Sequence, residues 1–452
     1  MNMKSVSFTP VPFIRKHFNS FQTILIEFMC LILIGSALLS LPFASADHQP
    51  VPFINALFTS TSAVCVTGLV VYDTATQWSI FGRTVILILI QIGGIGVVSM
   101  TVLLMIATGR RIGIFQRLTM QDAISAPQIG GIVRFTRFFL KGTVLIEGLG
   151  TILLLPPFVK EFGIWKGLGY ALFHSISAFC NAGFDLMGMK EPFSSFTHYY
   201  GHTWISLVLI LLIVVGGLGF MTWQDLLKNK FRQRGLRLQT KIILCMTLIL
   251  ITLPFLYFFF IEYARMPLSE RFTVSLFQAV TPRTAGFNTM PYNEMSESGL
   301  LITIVLMMVG GAPGSTAGGM KLTTLFILLA STHANLRHYS NVNAFHRRIE
   351  PDIIHNAFTV ITVYVTLLLI GTVLLSGVER IPVIHAMFEC ASALGTVGLT
   401  TGITPGLKTI SKIILIGFMF LGRTGGLTIA FAMVSNSKRV QPRMPSERIT
   451  VG

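Results

Sequence analysis

Four short segments of the 452-residue chain repeat one pattern, an aromatic residue followed by small residues and then by a glycine nine or ten residues later. The aromatic residues are Phe58, Phe173, Phe277 and Phe388, and the glycines are Gly68, Gly183, Gly286 and Gly398. The glycines recur at intervals of 115, 103 and 112 residues, which indicates one supersecondary unit used four times. Each segment is too short to cross a bilayer, yet each lies between long apolar stretches. The pattern therefore predicts four half-inserted loops that share one axis.

The composition is that of a membrane protein, with 52% hydrophobic residues, 12% charged residues and a mean hydropathy of +0.71. Soluble chains carry about 25% charge, and apolar runs of about 20 residues indicate membrane spans. Eight such runs are present, at about 24–43, 84–108, 138–159, 203–227, 241–263, 300–329, 354–378 and 410–434. The sixth run is interrupted. No cleavable signal peptide is predicted, because the first run lacks a small-residue cleavage site.

The net charge of +16 is explained by topology rather than by nucleic-acid binding. If both termini are cytoplasmic and the eight spans alternate, 22 of the 34 Lys and Arg residues lie on the cytoplasmic side. This excess follows the positive-inside rule. The sequence thus predicts a multi-pass cell-membrane protein with both termini in the cytoplasm. The five cysteines lack metal-ligand spacing and are interpreted as small packing residues.

Each repeat is predicted to contain a span, a half-helix, a glycine loop and a second span. The half-helices are expected at about 53–64, 168–179, 272–281 and 384–393. Non-helical backbone is tolerated at membrane depth only against protein or a water-filled cavity, so the four loops have to converge. The fold class is therefore all-α, with eight transmembrane helices, four half-helices and pseudo-fourfold symmetry around a central pore. The expected segments are 1–21 (cytoplasmic), 22–110, 111–235, 236–345 and 346–435 (the four repeats), and 436–452 (cytoplasmic tail).

The residues just before the four glycines are mostly uncharged and are predicted to form a selectivity filter. The triplets are Val66, Thr67 and Gly68; Asn181, Ala182 and Gly183; Thr284, Ala285 and Gly286; and Thr396, Val397 and Gly398. Ion contacts would come from backbone carbonyls, which can replace the hydration shell of potassium. Inward-pointing carbonyls require dihedrals that glycine adopts at little steric cost. Four ordinary turn glycines are the alternative, but their repetition in matched context favours the filter.

Two further aligned columns are polar. Filter support is predicted from Ser62, Ser177, Thr281 and Ser392, whose hydroxyls can bond the loop backbone. A second column behind the filter holds Thr59, His174, Gln278 and Glu389. Five acidic side chains are expected at the outer rim of the pore: Asp73, Asp185, Glu191, Glu294 and Glu297. They can concentrate cations there, although acidic residues in ordinary solvated loops are an equally good interpretation. Arg283 fits poorly beside the third triplet and is expected to point away from the axis or to pair with an acidic neighbour.

A second glycine cluster follows each triplet, at 93–96, 216–219, 310–319 and 422–425. The third reads GGAPGSTAGG, which cannot continue a helix, at about 1 kcal/mol per glycine and about 3 kcal/mol for proline. It is predicted to form an intramembrane gate made of Gly310, Gly311, Ala312, Pro313, Gly314, Ser315, Thr316, Ala317, Gly318 and Gly319, with Arg423 facing the pore beneath the filter. A phosphate-binding loop is rejected, since Met320-Lys321 follows. Close helix packing is sufficient to explain the first two clusters. The side chain of Lys321 is expected to snorkel to the cytoplasmic membrane surface, and the same is the alternative for Arg423.

With its triplets VTG, NAG, TAG and TVG and its span–loop–span plan, the chain resembles the Trk/Ktr/HKT superfamily of potassium transporters over about residues 22–435. It is most similar to the KtrB-type membrane subunit of the Ktr branch, because only about twenty residues precede the first repeat. The resemblance implies a channel-like potassium uptake subunit that forms a homodimer. It also implies a cytoplasmic ring of nucleotide-binding RCK (KTN-type) subunits, so nucleotide is expected on the partner and not on this chain. Glycine rather than serine in the first triplet implies preference for K⁺, with Na⁺ as a possible activator.

Other functions are less well supported. A sodium- or proton-coupled symporter with alternating access usually shows inverted repeats and midplane carboxylates, which are few here. An enzyme is not predicted, since no catalytic motif occurs, and no covalently bound cofactor is expected. The basic loops 109–141 and 228–241 and the tail after Val434 are candidate docking surfaces for the regulatory ring. Contact with anionic lipid is the simpler explanation of their charge.

Overall fold

The computed structural model describes residues 20–107, 112–123, 130–425 and residue 447, and the chain is mostly helical. The described helices, in chain order, are α1 (Ser20–Leu39), α2 (Phe53–Val64), α3 (Thr74–Gln77), α4 (Ile80–Ile95), α5 (Val97–Ala107), α6 (Ile114–Ala123), α7 (Ile132–Phe162), α8 (Ile164–Phe179), α9 (Thr203–Gly217), α10 (Phe220–Lys228), α11 (Leu238–Tyr257), α12 (Leu268–Val280), α13 (Glu297–Met308), α14 (Leu322–Leu336), α15 (Pro351–Glu379), α16 (Val383–Gly395) and α17 (Thr409–Thr424). A π-helical turn, Phe258–Glu262, extends α11. A small antiparallel hairpin pairs β1 (Asn343–Ala344) with β2 (Arg347–Arg348).

Four of these helices, α1, α7, α11 and α15, are individually long and apolar enough to cross a membrane. Their outward faces carry exposed apolar side chains such as Leu145 and Val373, which are 63% and 72% exposed. Isolated exposed leucines are normal on soluble proteins, but long apolar helices with exposed apolar faces indicate contact with lipid. The protein is therefore a multi-pass membrane protein.

A short helix follows each long one and occupies each position where a half-helix was expected. These short helices are α2, α8, α12 and α16. Three of them begin directly after a proline, Pro52, Pro267 or Pro382, because proline has no amide hydrogen to donate within a helix and its ring fixes φ at a value that suits helix entry. The last three residues of each are buried, and the repeated aromatic residue of each is at most 3% exposed. The half-helices thus form the centre of the hydrophobic core.

The expected continuous spans at 84–108 and 203–227 are wrong in one respect. The first is bent by 97° between α4 and α5, and the second by 90° between α9 and α10. Gly96 and Gly219 occupy the bends with φ of +94° and +86°, a conformation that a right-handed helix cannot contain. These glycine clusters break the helices, whereas close packing alone would have left them straight.

The sixth span is interrupted as predicted, since α13 ends at Met308 and α14 begins at Leu322. Val309 and Met320 form an isolated parallel bridge across the base of the interruption. In the fourth repeat, α17 ends at Thr424, and the next residue, Gly425, has a φ of +85° that matches those of Gly96 and Gly219. The rest of the predicted span at 410–434 lies outside the described residues, as do most of the N-terminal segment, nearly all of the tail and parts of the 109–141 loop.

Candidate functional site

The four repeat glycines lie next to one another. A Cβ atom built on Gly68 would be 2.5 Å from the carbonyl oxygen of Ala182, and one on Gly183 would be 3.0 Å from that of Ala285. In the same way Gly286 faces the carbonyl of Val397, and Gly398 faces that of Thr67. The sequence of contacts runs from repeat one to two, three and four and returns to one. We call this closed set of four glycines and the two residues before each the glycine ring.

The ring backbone has the same conformation in every repeat. Each glycine has positive φ, from +69° to +95°. The residues two positions earlier also have positive φ, between +50° and +65°, although all four have side chains: Val66, Asn181, Thr284 and Thr396. Positive φ is a genuine outlier for a β-branched residue and costs of order 1–3 kcal/mol where it is enforced. Strain repeated at four equivalent places indicates that the carbonyl directions matter.

The hydroxyl column bonds the loops as the sequence suggested, but in two different ways. In the first repeat the amide of Gly68 donates to Ser62 Oγ at 3.0 Å, and in the fourth the amide of Gly398 donates to Ser392 Oγ at the same distance. These two hydroxyls are therefore acceptors that hold the ring glycine itself.

In the second and third repeats the hydroxyl is instead the donor. Ser177 Oγ donates to the carbonyl of Phe184 at 2.6 Å, and Thr281 Oγ1 donates to the carbonyl of Phe287 at 2.7 Å. Both acceptors are one residue beyond the ring glycine. All four hydroxyls thus bond the backbone at the ring. In the first and fourth repeats the bonded residue is the ring glycine, and in the second and third it is the next residue.

The second polar column also reaches the segment after the ring in three of the repeats. His174 Nε2 accepts from the amide of Leu186 at 3.1 Å, and Gln278 Oε1 accepts from the Tyr292 hydroxyl at 2.5 Å. In the fourth repeat the carboxylate of Glu389 accepts from the amide of Thr401 and from two threonine hydroxyls, at 2.5–3.0 Å. The equivalent Thr59 bonds only its own helix, to the carbonyl of Asn55.

A cavity of about 480 Å³ opens on one side of the ring and touches all four glycines. Four of the five acidic side chains expected at a rim line this cavity, while Glu297 does not: Asp73, Asp185, Glu191 and Glu294. Its lining contains no lysine, arginine or histidine among the described residues. We call this cavity the vestibule. Its electrostatic character is anionic, which favours cations.

Two of the vestibule carboxylates are held by the backbone. Asp73 caps α3 by accepting from the amides of Ala75 and Thr76, and its other oxygen accepts from the amide of Phe193 at 2.9 Å. Asp185 accepts from the amide of Met187 at 3.0 Å. Burial raises the pKa of the Asp185 carboxyl to about 6, and the neighbouring negative charge of Asp73 adds to the rise.

On the other side of the ring the four glycine clusters meet in one layer, which we call the break layer. Within it, the 310–319 loop bonds two parts of the second repeat. The amide of Ala312 donates to the carbonyl of Gly217 at the bend, at 2.9 Å, and Thr316 Oγ1 donates to the carbonyl of Phe179 at the end of α8, at 3.0 Å. The amide of Gly319 donates to the carbonyl of Gly422 in the fourth repeat at 3.2 Å.

The 310–319 loop lies between the ring and a second cavity. A Cβ on Gly318 would collide with the side chain of Thr396 in the ring. Gly314, Ser315 and Ala317 of the same loop line a cavity of about 250 Å³, together with residues of the other breaks. The loop therefore separates the ring from this inner cavity.

Arg423 lies in the break layer and joins three repeats. Its guanidinium donates to the carbonyl of Thr316 in the loop and to those of Gly93 and Gly94 at the first bend, the last at 3.2 Å. It forms no ion pair with any described carboxylate. Its donors are satisfied by carbonyls that the broken helices free, which lowers the cost of an arginine at membrane depth.

Of two other cations, Lys321 differs from expectation, whereas Arg283 lacks only one of its two expected arrangements, the acidic partner. Lys321 does not snorkel, because its Nζ donates to the carbonyls of Ala317 at 2.8 Å and Gly318 at 3.4 Å. Arg283 is buried and finds no acidic partner among the described residues; its Nη2 is 3.4 Å from Thr247 Oγ1. Nothing in a single sequence distinguished a lysine that caps carbonyls from one that reaches the membrane surface.

The comparison with known families decides the class. The model of the TrkH cation transport proteins matches residues 13–441. The chain belongs to this family. It is therefore a membrane transporter and not an enzyme, and the predicted resemblance to the Trk/Ktr proteins is confirmed.

Relatives of known description match over nearly their whole length. The chain is 38% identical to the potassium/sodium uptake protein NtpJ of Enterococcus hirae, over 97% of this chain and 98% of that protein. It is 38% identical to the Ktr system potassium uptake protein B of Bacillus subtilis, over 95% and 96%. The crystal structure of the potassium transporter TrkH from Vibrio parahaemolyticus has the same fold, with a TM-score of 0.72, 17% identity, and coverage of 96% and 87%.

Proposed function

We propose that this chain takes up potassium through a central pore with pseudo-fourfold symmetry, and that the glycine ring is its selectivity filter. The observation that carries the proposal is the closed order of contacts from Gly68 through Gly183, Gly286 and Gly398 back to Gly68, directly beneath an anionic vestibule. Four backbone segments of equal conformation provide carbonyl oxygens from all sides of one axis. Such rings can replace the water around a potassium ion.

Selectivity for potassium over sodium is supported by the chemistry of the ring. No side chain of the twelve ring residues is charged, so the ligands are dipoles of moderate field strength. Both relatives at 38% identity are named for potassium uptake, and one of them also for sodium. Potassium is therefore the proposed cargo, with sodium as a possible activator or second ion.

The 310–319 loop and Arg423 form the proposed gate. The loop closes the path between the ring and the inner cavity, and its closed position is held by hydrogen bonds to the second and fourth repeats. The guanidinium of Arg423 also places positive charge below the ring, which repels cations while the loop is closed. Opening requires the loop to leave these partners.

Control of this gate is proposed to come from outside the chain. The relative from Bacillus subtilis is named as part of a Ktr system, which favours a cytoplasmic RCK/KTN-type nucleotide-binding ring docked on a homodimer of this chain. The basic loops place both termini in the cytoplasm by the positive-inside rule. We also propose that the four repeats end at residues 110, 235, 345 and 435.

The alternative is a sodium- or proton-coupled symporter with alternating access. Its candidate carboxylates among the described spans are Glu27 and Glu147. Neither belongs to the ring, and Glu147 accepts hydrogen bonds from Gln91 Nε2 at 3.0 and 3.1 Å. A carboxylate that couples ion movement is expected to line the ion path. The observed pairing favours packing.

The deciding experiment measures isotopic potassium uptake and single-channel current from the purified chain in liposomes, with and without a candidate regulatory subunit. A pore gives discrete current steps that barium and caesium block. Uptake that follows an imposed sodium or proton gradient, without current steps, would establish the symporter. Absence of potassium movement under all these conditions would refute both.

A further inference from the structure

A third cavity, of about 560 Å³, lies beside the 310–319 loop and is used by none of the functions above. Pro313 of the loop forms part of its wall, and Lys321 lies between it and the inner cavity, since Lys321 lines both. We propose that this cavity binds an anionic phospholipid, with the phosphate at Lys321 and Arg348, and that the bound lipid favours opening of the loop. The binding half stands alone; the gating half rests on the proposed function.

Three helix N-termini converge on the cavity. Its lining includes first-turn residues of α11 (Leu238 and Gln239), α14 (Thr323 and Thr324) and α15 (Ile353). The N-cap residue of each helix, Arg237, Lys321 and Glu350, makes no side-chain capping hydrogen bond. The positive ends of the three helix dipoles therefore lie at the cavity, although the first-turn amides are partly used, since that of Leu322 donates to Gly311 and α15 begins with Pro351, which has none. Together they form a site that attracts a phosphate.

The side-chain charges point to the same ligand. Lys321 and Arg348 line the cavity, opposed only by Glu350 among its described residues. The ammonium of Lys321 has three N–H donors, and its hydrogen bonds to the carbonyls of Ala317 and Gly318 occupy two. It forms no ion pair with a described carboxylate. A phosphate oxygen would supply both the third acceptor and the missing countercharge.

The remaining wall favours a lipid over free phosphate. It is largely apolar and includes Ile242, Ile327, Ala357 and Val360. The cavity also lies at the N-terminal ends of α11 and α15, two of the helices long enough to span a membrane. A phosphate-binding end joined to an apolar wall at the end of membrane-spanning helices fits a headgroup with the start of its acyl chain. The volume is within the roughly 300–1,000 Å³ of ligand sites.

Coupling to the loop follows from competition for Lys321. Hydrogen bonds from an ammonium to a phosphate are stronger than those to neutral carbonyls. A headgroup phosphate that binds at the third donor of Lys321 is therefore the stronger acceptor, and it pulls Nζ from Ala317 and Gly318 and so weakens two contacts of the closed loop. The lipid can shift the loop only by its difference in affinity for the two positions.

Binding is tested by native mass spectrometry of the full-length protein with phosphatidylglycerol and with neutral phosphatidylcholine. Phosphatidylglycerol is expected to be retained preferentially. Arg348→Gln is expected to weaken this retention about fivefold, at ~1 kcal/mol per basic residue near a headgroup. Arg347→Gln is the matched control, since it removes the neighbouring arginine, which does not line the cavity.

Ile353→Glu is a second variant, which adds a negative charge to the cavity wall without removing a basic side chain. Ile353 is 43% exposed and lies in the first turn of α15, where an acidic side chain favours the helix while it repels the headgroup. Loss of preferential retention in this variant is expected. Equal retention in wild type and all three variants would refute the site, and displacement by inorganic phosphate alone would show an anion site rather than a lipid site.

The gating half is tested by potassium uptake in liposomes with and without phosphatidylglycerol. Added anionic lipid is expected to raise wild-type uptake by up to about fivefold, and to leave Arg348→Gln unchanged. An identical response in both refutes the coupling. If no liposome takes up potassium the proposed function fails, while the binding measurement still tests the lipid site.

Discussion

The glycine ring and the break layer are neighbours built from the same four repeats, yet they differ in regularity. In the ring every repeat supplies a glycine with positive φ and a second positive-φ residue before it. In the break layer the repeats supply a 97° bend, a 90° bend, a ten-residue loop and an arginine. Equivalent ligands placed around one axis can coordinate an ion evenly and so distinguish one ion from another. A gate can be built from a single repeat that differs from the other three. This difference supports the proposal that the regular layer selects ions and that the irregular one forms the gate.

The two layers also differ in how tightly they are held. Each ring segment lies against the backbone of the next, so no segment can move alone. The 310–319 loop is fixed mainly by single hydrogen bonds, such as Ala312 to Gly217 and Thr316 to Phe179. Each contributes about 1 kcal/mol net, so moving the loop costs only several kcal/mol.

The largest effect is expected from a methyl group in the ring. In Gly398→Ala the new Cβ collides with the carbonyl of Thr67 at a φ of +95°, so two ring segments have to separate. Potassium uptake is expected to fall by a factor of about 100, because strain and collision together cost roughly 3 kcal/mol. Gly417→Ala is the control, since its Cβ meets open space. Uptake retained in Gly398→Ala would show that ions do not pass through the ring.

A smaller effect of opposite sign is expected in the break layer. Arg423→Gln removes the donors to Thr316, Gly93 and Gly94, and deletion of residues 310–319 removes the loop itself. Each is expected to raise unregulated uptake about tenfold, the effect of losing one charge-assisted hydrogen bond. If Arg423 acts through the loop, adding Arg423→Gln to the deletion changes nothing further. Additive gains, or wild-type flux with intact regulation, would contradict the gate.

The sequence allowed the ring to be predicted but not the whole break layer. Gly68 and its three equivalents were found because a fixed spacing repeats whatever the tertiary structure. Gly96 and Gly219 were misinterpreted, because two or three glycines in an apolar run are as typical of close helix packing as of a bend. Only the backbone shows their positive φ. The partners of Lys321 and Arg283 depend on tertiary contacts, which spacing along one chain does not contain.

The role of the ring can also be tested by measuring selectivity for potassium over sodium. In Gly68→Ser the added Cβ would be 2.5 Å from the carbonyl of Ala182, and the hydroxyl brings a dipole to one side of the ring only. The potassium-to-sodium uptake ratio is expected to fall about fivefold, which is ~1 kcal/mol in relative barrier height. Uptake of both ions is measured in the same vesicles. An unchanged ratio would mean that Gly68 does not contribute to ion selection.

The four hydroxyl side chains that bond the ring are expected to differ in importance, because two accept a hydrogen bond from the ring and two donate one. Ser62→Ala leaves the amide of Gly68 buried without its acceptor, at a cost of about 1–3 kcal/mol. Ser177→Ala removes only a donor to the carbonyl of Phe184, and under-satisfied carbonyls are better tolerated than orphaned amides. Uptake is expected to fall about threefold in the first variant and less than about twofold in the second. Equal losses would show that the column only packs.

The smallest effect is expected above the ring, in the vestibule. The raised pKa of Asp185, about 6, means that the carboxyl is charged at neutral pH and becomes neutral as the external pH falls through this value. Acidification then removes one negative charge that attracts cations, worth roughly 0.5 kcal/mol in water, so uptake at low potassium is expected to fall about twofold. Asp185→Asn should show the lower uptake at every pH. Asp47→Asn should keep the pH response, because a hydrogen bond from Ser45 lowers the pKa of the exposed Asp47 carboxyl and the group does not line the vestibule. A wild-type response in Asp185→Asn would show that Asp185 is not the titrating group and does not contribute to attracting the ion.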